Sequence, residues 1–435
     1  MGMLNSAFSF YYVKLFLHLH KISEMAFYQI ILMIWNILNN LTGYFCIHFK
    51  ADCSLSRHLS ILYGAPLYPV AFLLPWFPWR HYQEGDRLSR LHLVASLCAF
   101  YSTLTYVQQA HCRLFVETFT SHESRLQLIK INQVASLVGS TSILFCGLFS
   151  NNMEILPNFQ AAAIFIAFLA AASLCTGMYH MRHLEPKRTP EENFLLESEQ
   201  DVAWTSVFLL MEQILSQKNF YLFLIMNFFQ VFHLTFFNNF MMIFADTLFL
   251  SDVLSSSMRN IMYGAGFICP QCLVLIIWSW LKKCGYYKII LISFSLEGAA
   301  SIVMLLLGQE YYYCLALYLT ITMVIVQASC SLFNLPLAEM LDTHTVFVCS
   351  GSPLSSVIFG FNVLLTKPAQ SLAPIMILSR LDQYDCGNPN SNVLLELEDF
   401  MFRLICLVPL GVAVIQILVW SAFSVRNKKE QMETL

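Results

Sequence analysis

Charged residues are scarce in this sequence. They make up 12% of its 435 positions, about half of the roughly 25% that soluble domains carry. A soluble core needs polar side chains around it, so this scarcity excludes a soluble fold for most of the chain. The Lys and Arg residues form no basic stripe and the net charge is only -3, so the sequence predicts no nucleic-acid partner.

The motifs of common hydrolytic and intramembrane enzymes are also missing. The sequence has no HExxH metal motif, no GxSxG nucleophile motif and no pair of intramembrane aspartates. The fourteen cysteines lie mostly inside apolar runs, which indicates neither a disulfide framework nor a zinc site. Cys269 and Cys272 have redox-motif spacing, but no βαβ pattern surrounds them, so we interpret them as packing residues. We expect no enzyme activity, no catalytic residue, no metal and no cofactor.

What the chain has instead is a series of apolar runs of twenty or more residues. Hydrophobic residues make up 57% of the sequence, and each run, as a helix, is long enough to cross a hydrocarbon layer about 30 Å thick. Backbone groups in lipid must be paired within their own segment, so runs of this length favour helices over the ~10-residue strands of a barrel. The sequence therefore predicts an all-α, polytopic membrane protein surrounded by lipid.

Twelve of these runs are candidate membrane spans, of which the first is short. They cover residues 3–19, 25–48, 59–79, 91–112, 128–149, 157–181, 219–245, 258–281, 287–308, 312–334, 352–378 and 402–424. The longest polar stretch separates the first six from the last six. We predict an N-terminal six-helix half over residues 1–181, a cytosolic linker over residues 182–218, and a C-terminal six-helix half with a cytosolic tail over residues 219–435.

Two stretches of the sequence carry a family resemblance. Residues 219–240, NFYLFLIMNFFQVFHLTFFNNF, and residues 364–374, LLTKPAQSLAP, look like the transmembrane protein 180 family, also called major facilitator domain-containing group thirteen. That family is distantly similar to the melibiose-type sugar:cation symporters. The resemblance implies the major facilitator fold of two six-helix halves. It also implies a carrier that moves a small polar, carbohydrate-like solute by alternating access.

Helix 2 departs from the symporter pattern. The symporters use helix-2 carboxylates to hold the coupling cation, but residues 35–44 here read WNILNNLTGY and contain no acid. The resemblance therefore implies that the cation site is eroded. Two functions remain open. Lys367 and the polar residues of helix 7 favour a solute carrier, whereas the empty acid positions favour a transporter-fold protein that acts as a receptor or scaffold.

Polar side chains inside the spans are the candidate site residues, because burying them in a membrane is costly without partners. Four of them share one face of helix 7 at about 100° per residue, so we expect them to line a cavity, while Asn239 points elsewhere. These four are Asn227, Gln230, His233 and Asn238. Amides and imidazoles can donate and accept hydrogen bonds, as a sugar-like solute requires. The alternative is hydrogen bonding between helices.

Two further pairs lie on helices that could line the same cavity. Asn36 and Asn40 are four residues apart in helix 2, and Gln108 and His111 are three apart in helix 4, so each pair shares a helix face. Hydrogen bonding between helices is again the alternative. Glu297 is a lone acid in helix 9, and burial disfavours its charged form.

Lys367 lies about halfway along helix 11. The resembling symporters keep a helix-11 lysine beside acids of the first half, which implies that Lys367 faces the cavity without its usual partners. It would then bind an anionic or polyhydroxyl solute, or pair with Glu117. The alternative is that Lys367 snorkels, or bonds to carbonyls near Pro368.

The distribution of basic residues predicts the orientation of the chain. With both termini in the cytosol, the predicted inner side holds fifteen Lys and Arg residues, the outer side holds seven, and two lie within spans. Cytosolic loops of membrane proteins carry such an excess. The membrane is the plasma membrane or an endomembrane.

We therefore expect Met1 and Leu435 on the cytosolic side and residues 381–399 on the opposite side. Epitope tags at the three places would be probed with antibody before and after the membrane is permeabilised. A tag within residues 381–399 should react without permeabilisation at the plasma membrane, and the terminal tags only after it. Termini that react on opposite faces would contradict an even number of spans.

Overall fold

A computed structural model describes residues 2–19, 25–49, 66–79, 86–118, 122–184, 217–249, 254–333, 335–336, 353–385 and 391–423. All regular secondary structure in these ranges is helical, which confirms the predicted all-α class. Most of the predicted linker, residues 185–216, lies outside the described residues.

The helices of the N-terminal half follow the predicted runs closely. In chain order they are α1 (Gly2–Lys14, continued by a π-helical turn over Leu15–Leu19), α2 (Met25–Phe49), α3 (residues 66–73, continued by a 3-10 turn over Leu74–Trp76), α4 (Arg87–Thr118), α5 (His122–Ser150) and α6 (Leu156–Leu184).

The helices of the C-terminal half are longer on average. They are α7 (Lys218–Leu248), α8 (Ser256–Cys284), α9 (Tyr286–Leu307), α10 (Tyr312–Leu332), α11 (Pro353–Asp385) and α12 (Ser391–Ser421). Among the described residues, seven helices are long and apolar enough to cross a membrane, namely α5 to α10 and α12. The remaining predicted spans stay predictions.

Helix α12 begins eleven residues before the predicted span. Its first turns carry Glu396, Glu398 and Asp399, and Asp399 pairs with Arg403 one turn later at 2.8 Å. A helix needs only its backbone hydrogen bonds to continue past an apolar run, and ion pairs between residues four apart favour it. The region predicted as a loop over residues 381–399 is therefore helical at both ends, and residues 386–390 lie outside the described part.

Helix α1 is short but deeply buried. Leu4, Ala7, Phe8, Tyr11 and Tyr12 are each at most 1% exposed. The Phe8 ring stacks on Phe100 of α4, with ring centroids 3.6 Å apart. A helix that is buried on most of its circumference needs apolar residues on most sides, which fits the seven buried apolar residues of α1.

Among the described residues, the main packing between the two halves is α2 against α11, α5 against α8, and α1 against α7. Within the C-terminal half, α7 also packs against α10, α11 and α12, and α9 packs against α10 and α12. Helix α7 is therefore in contact with both halves. More than half of its most apolar 18-residue segment is buried.

Gly264 permits the close packing of α8 on α5. A Cβ atom at this position would lie 2.7 Å from Cδ1 of Leu144, closer than carbon atoms pack without strain. The two halves thus approach each other where α8 has no side chain.

We expect Gly264→Val to destabilise the protein by about 1–3 kcal/mol, because overpacking a filled interface forces side chains off their preferred rotamers. Gly177→Val is the matched control, because Gly177 is also helical and a Cβ there meets no atom within 4 Å. The measurement is thermal unfolding of both variants in detergent. Equal melting temperatures for the two variants would contradict the close packing.

Candidate functional site

Gln230 lies inside the C-terminal half. Its Nε2 donates to the backbone oxygen of Val326 in α10 at 2.8 Å, and its Oε1 accepts from Nε2 of Gln416 in α12 at 2.8 Å. Gln230 and Gln416 are 1% and 0% exposed. Gln230 therefore ties α7 to α10 and α12, which is the hydrogen bonding between helices that the sequence left open as an alternative.

His233 contacts the one acid that is buried among the described residues. Its Nδ1 lies 2.8 Å from Oε1 of Glu297 in α9, and the two side chains are 0% and 1% exposed. Neither ring nitrogen of His233 nor this carboxyl oxygen completes an aligned hydrogen bond with a described residue, because the contact is short but off the N–H direction. His233 and Glu297 thus form a close polar pair inside the C-terminal half.

Three asparagines near the middle of α7 have different surroundings. Asn227 donates from Nδ2 to Oδ1 of Asn362 in α11 at 2.6 Å. Asn239 was expected to point elsewhere, and its Nδ2 donates to the hydroxyl of Tyr12 in α1 at 3.2 Å. Asn238 keeps a buried Oδ1 with no hydrogen-bond partner among the described residues. The residue of this group that reaches the N-terminal half is therefore Asn239.

Gln108, one of the two helix-4 candidates, does not join these residues. Gln108 is exposed on α4. His111 and Glu117 lie within the bounds of α4, but their side chains fall outside the described part, so the pairing of Glu117 with Lys367 stays a prediction.

Lys367 is buried in the middle of α11, with 3% of its surface exposed. No ion pair among the described residues includes it. Asn362, which contacts α7, lies five residues earlier, so Lys367 is turned about 140° away from it around the helix axis. Lys367 is therefore turned away from the contact that Asn362 makes with α7, on a helix that packs mainly on α7 and α2.

Asn36 and Asn40 are buried near the middle of α2, with 2% and 5% of their surface exposed. Asn40 donates from Nδ2 to the backbone oxygen of Asn36 at 2.7 Å. Both side-chain oxygens lack a hydrogen-bond partner among the described residues. We define Asn36, Asn40 and Lys367 as the α2–α11 site, because the structure brings these three polar residues to packed helices at mid-depth.

Asn362 and Gln416 are two residues of these networks that the sequence did not single out. Each is an amide inside an apolar helix, and that isolation was the available signal. Their partners could not be predicted, because the bonds join α7 to helices far away in the sequence.

The chain is similar to proteins of one transporter family. The model of the family described as MFS/sugar transport protein matches residues 1–427. Transmembrane protein 180 of Gallus gallus is 29% identical over 99% of this chain and 91% of its own length. Transmembrane protein 180 of Mus musculus is 24% identical over 98% of this chain and 91% of its own length. The resemblance to the transmembrane protein 180 family is confirmed.

Solved structures share the fold at low sequence identity. The nucleoside transporter NupG is similar with a TM-score of 0.56 and 14% identity, over 97% of this chain and 95% of that protein. A bacterial homologue of the iron transporter ferroportin, in an outward-facing state, is similar with a TM-score of 0.58 and 12% identity, over 98% and 96%. These likenesses confirm the predicted major facilitator fold.

The His233–Glu297 pair predicts a measurable coupling in stability. Removing one partner of a buried pair costs about 3–5 kcal/mol, because the other is left buried without compensation. We therefore expect His233→Ala and Glu297→Ala each to lower the melting temperature strongly, and the double variant to cost at least about 1 kcal/mol less than their sum.

The measurement is thermal unfolding of the two single variants and the double variant in detergent. Asp399→Ala and Arg403→Ala provide the control cycle, because that pair is 49% and 67% exposed. Additive losses for His233 and Glu297 would show that the two side chains do not interact.

Proposed function

Because the chain belongs to the MFS/sugar transport protein family, we propose that it is a membrane solute carrier that moves a small polar solute by alternating access between its two halves. The solute binds at the α2–α11 site, where the halves meet near mid-membrane. The polar, carbohydrate-like character of the solute follows from the chemistry of the side chains at this site.

The observation that carries the proposal is the burial of Lys367 without an ion pair among the described residues. An ammonium in the middle of a membrane is costly unless it reaches water, a carboxylate or several oxygen acceptors. A protein that only needed a scaffold could place an apolar residue here at no such cost. Two polar atoms that have no hydrogen-bond partner among the described residues, the side-chain oxygens of Asn36 and Asn40, are buried on the helix that packs against α11.

Hydroxyl groups match this set of donors and acceptors. A Lys ammonium is a donor only, and the oxygen of a carboxamide is an acceptor only. A solute hydroxyl can accept from Lys367 and donate to Asn36 or Asn40 in the same complex. A polyhydroxyl solute therefore offers an acceptor to Lys367 and a donor to the oxygens of Asn36 and Asn40, which have no partner among the described residues. Each bond it completes removes a desolvation cost.

The same site is poorly suited to sodium. A hard cation needs several oxygen ligands and a negative charge to offset its lost hydration. Helix α2 offers carboxamides and no carboxylate, and Lys367 adds a positive charge. We therefore infer that transport does not depend on sodium.

A receptor or scaffold is the competing function, and one observation favours it. His233, Gln230 and Asn227 make contacts inside the C-terminal half, so three of the four helix-7 candidates already have structural partners. These contacts would also stabilise a protein that moves nothing.

We expect saturable uptake of at least one radiolabelled hexose or disaccharide by protein reconstituted in liposomes, at equal rates in sodium and choline buffers. Lys367→Met should reduce this uptake at least tenfold, because the solute loses its ammonium donor. Lys288→Met is the matched control and should leave uptake unchanged, because Lys288 is exposed on α9.

Three results would contradict this proposal in different ways. Strong sodium dependence would indicate that the protein has a cation site. Full activity of Lys367→Met would exclude solute binding at the α2–α11 site. No uptake of any sugar by folded protein would favour the scaffold function.

A further inference from the structure

One carboxylate accepts two cations near the ends of α1 and α7. Oδ2 of Asp246 lies 3.0 Å from Nζ of Lys14, and Oδ1 lies 3.1 Å from a terminal guanidinium nitrogen of Arg259. Lys14 belongs to α1 of the N-terminal half, whereas Asp246 and Arg259 belong to α7 and α8 of the C-terminal half. The contact between Lys14 and Asp246 therefore crosses from one half to the other.

Arg259 makes its polar contacts within its own half, unlike Lys14. Besides its bond to Asp246, its Nε donates to the backbone oxygen of Leu254 at 3.3 Å. Both contacts are within the C-terminal half, so Arg259 would move together with Asp246 if the halves separated. Arg259 thus holds the Asp246 carboxylate in place, and Lys14 is the partner that can leave.

Two other polar contacts join the halves near the same end. Ser256 at the start of α8 donates to Oδ1 of Asn151, just after α5, at 2.5 Å. Asn239 of α7 donates to Tyr12. Asn239 lies seven residues before Asp246 and so about 10 Å deeper along α7. The predicted topology places this end of the bundle outside.

Gly147 allows the halves to approach closely at this end. A Cβ atom there would lie 3.1 Å from Oδ1 of Asn260 in α8 and 3.2 Å from the hydroxyl of Tyr11 in α1. The absence of a side chain at Gly147 lets α5 pack against both neighbours. An ion pair, two hydrogen bonds and close packing therefore join the halves towards this end.

We propose that Lys14 and Asp246 form the latch of a gate at this end of the bundle, which opens when their ion pair breaks. The side chains of Lys14 and Asp246 are 17% and 31% exposed. Partly exposed charges regain water when they part, so the latch can open without stranding a buried charge. An apolar contact between the halves would not be replaced by hydrogen bonds to water when it breaks.

Charge also explains why the latch needs Asp246. Without this carboxylate, Lys14 and Arg259 are two like charges held near each other, and their repulsion favours separation of the halves. With it, each cation has a partner while the gate is closed. Loss of Asp246 therefore favours the open gate more than loss of Lys14 does.

The test uses a cysteine below the latch as a reporter of opening. Asn239 is 4% exposed, so Asn239→Cys should react slowly with a soluble maleimide when the gate is closed. In purified protein in detergent, adding Asp246→Asn should speed this reaction at least tenfold. Lys14→Gln should speed it by a smaller factor. Asp399→Asn is the matched control, because its pair with Arg403 lies within one helix.

Peptide mapping by mass spectrometry separates opening from unfolding. Cys406 is 0% exposed in α12, and its reaction should stay slow in every folded variant. Unchanged labelling at residue 239 in both folded latch variants would overturn the inference, and so would labelling as fast in the parent as in Asp246→Asn.

The inference rests on the alternating access proposed above, but its test needs no solute. Faster labelling in a protein that takes up no sugar would support the gate and contradict the carrier function. Sugar uptake with unchanged labelling would leave the carrier function standing and remove the latch.

Discussion

A polar group inside an apolar bundle must find a partner, and this requirement governs the contacts described here. Its cost is high in a membrane, because no water is present to replace a missing bond. Gln230 finds both of its partners inside the C-terminal half, the backbone of α10 and the amide nitrogen of Gln416. The same cost of an unpaired buried group favours the contact between His233 and Glu297, although it is poorly aligned. These bonds make α7 a fixed member of its half.

The junction between the halves follows a different rule. At one end the polar groups are partly exposed and paired, as for Lys14 and Asp246, and deeper in the bundle Asn239 donates to Tyr12 across the junction. Near the middle Lys367 is buried without an ion pair among the described residues. The side-chain oxygens of Asn36 and Asn40 have no hydrogen-bond partner among the same residues. Contacts that must break during a cycle are best placed where water can replace them. In the proposed carrier, groups that receive a solute are best left without a protein partner.

In the proposed carrier, polar contacts inside a half and polar contacts between the halves have different requirements. Rigid halves need interior bonds that persist, while the surface between them needs contacts of low net energy that can form and break. A long ion pair network buried across the junction would hold the halves together and prevent exchange. The described junction instead combines helix packing, glycine contacts and a single ion pair from half to half.

The sequence by itself determined the all-α class and, at most ends, the helix bounds to within a few residues, because run length and apolarity are local properties. The transporter family followed from the resemblance carried by residues 219–240 and 364–374. The sequence also identified Lys367, Asn36 and Asn40 as costly polar residues. It could not decide where side chains point. Helical periodicity grouped Gln230 and His233 with a cavity face, but a wide polar arc can face other helices of its own half, and the structure pairs both there. Only the packing of α1 against α7 and α8 revealed the contacts of four further residues, Asn239, Lys14, Asp246 and Arg259. Contacts between residues more than two hundred positions apart depend on how helices pack, which no local pattern encodes.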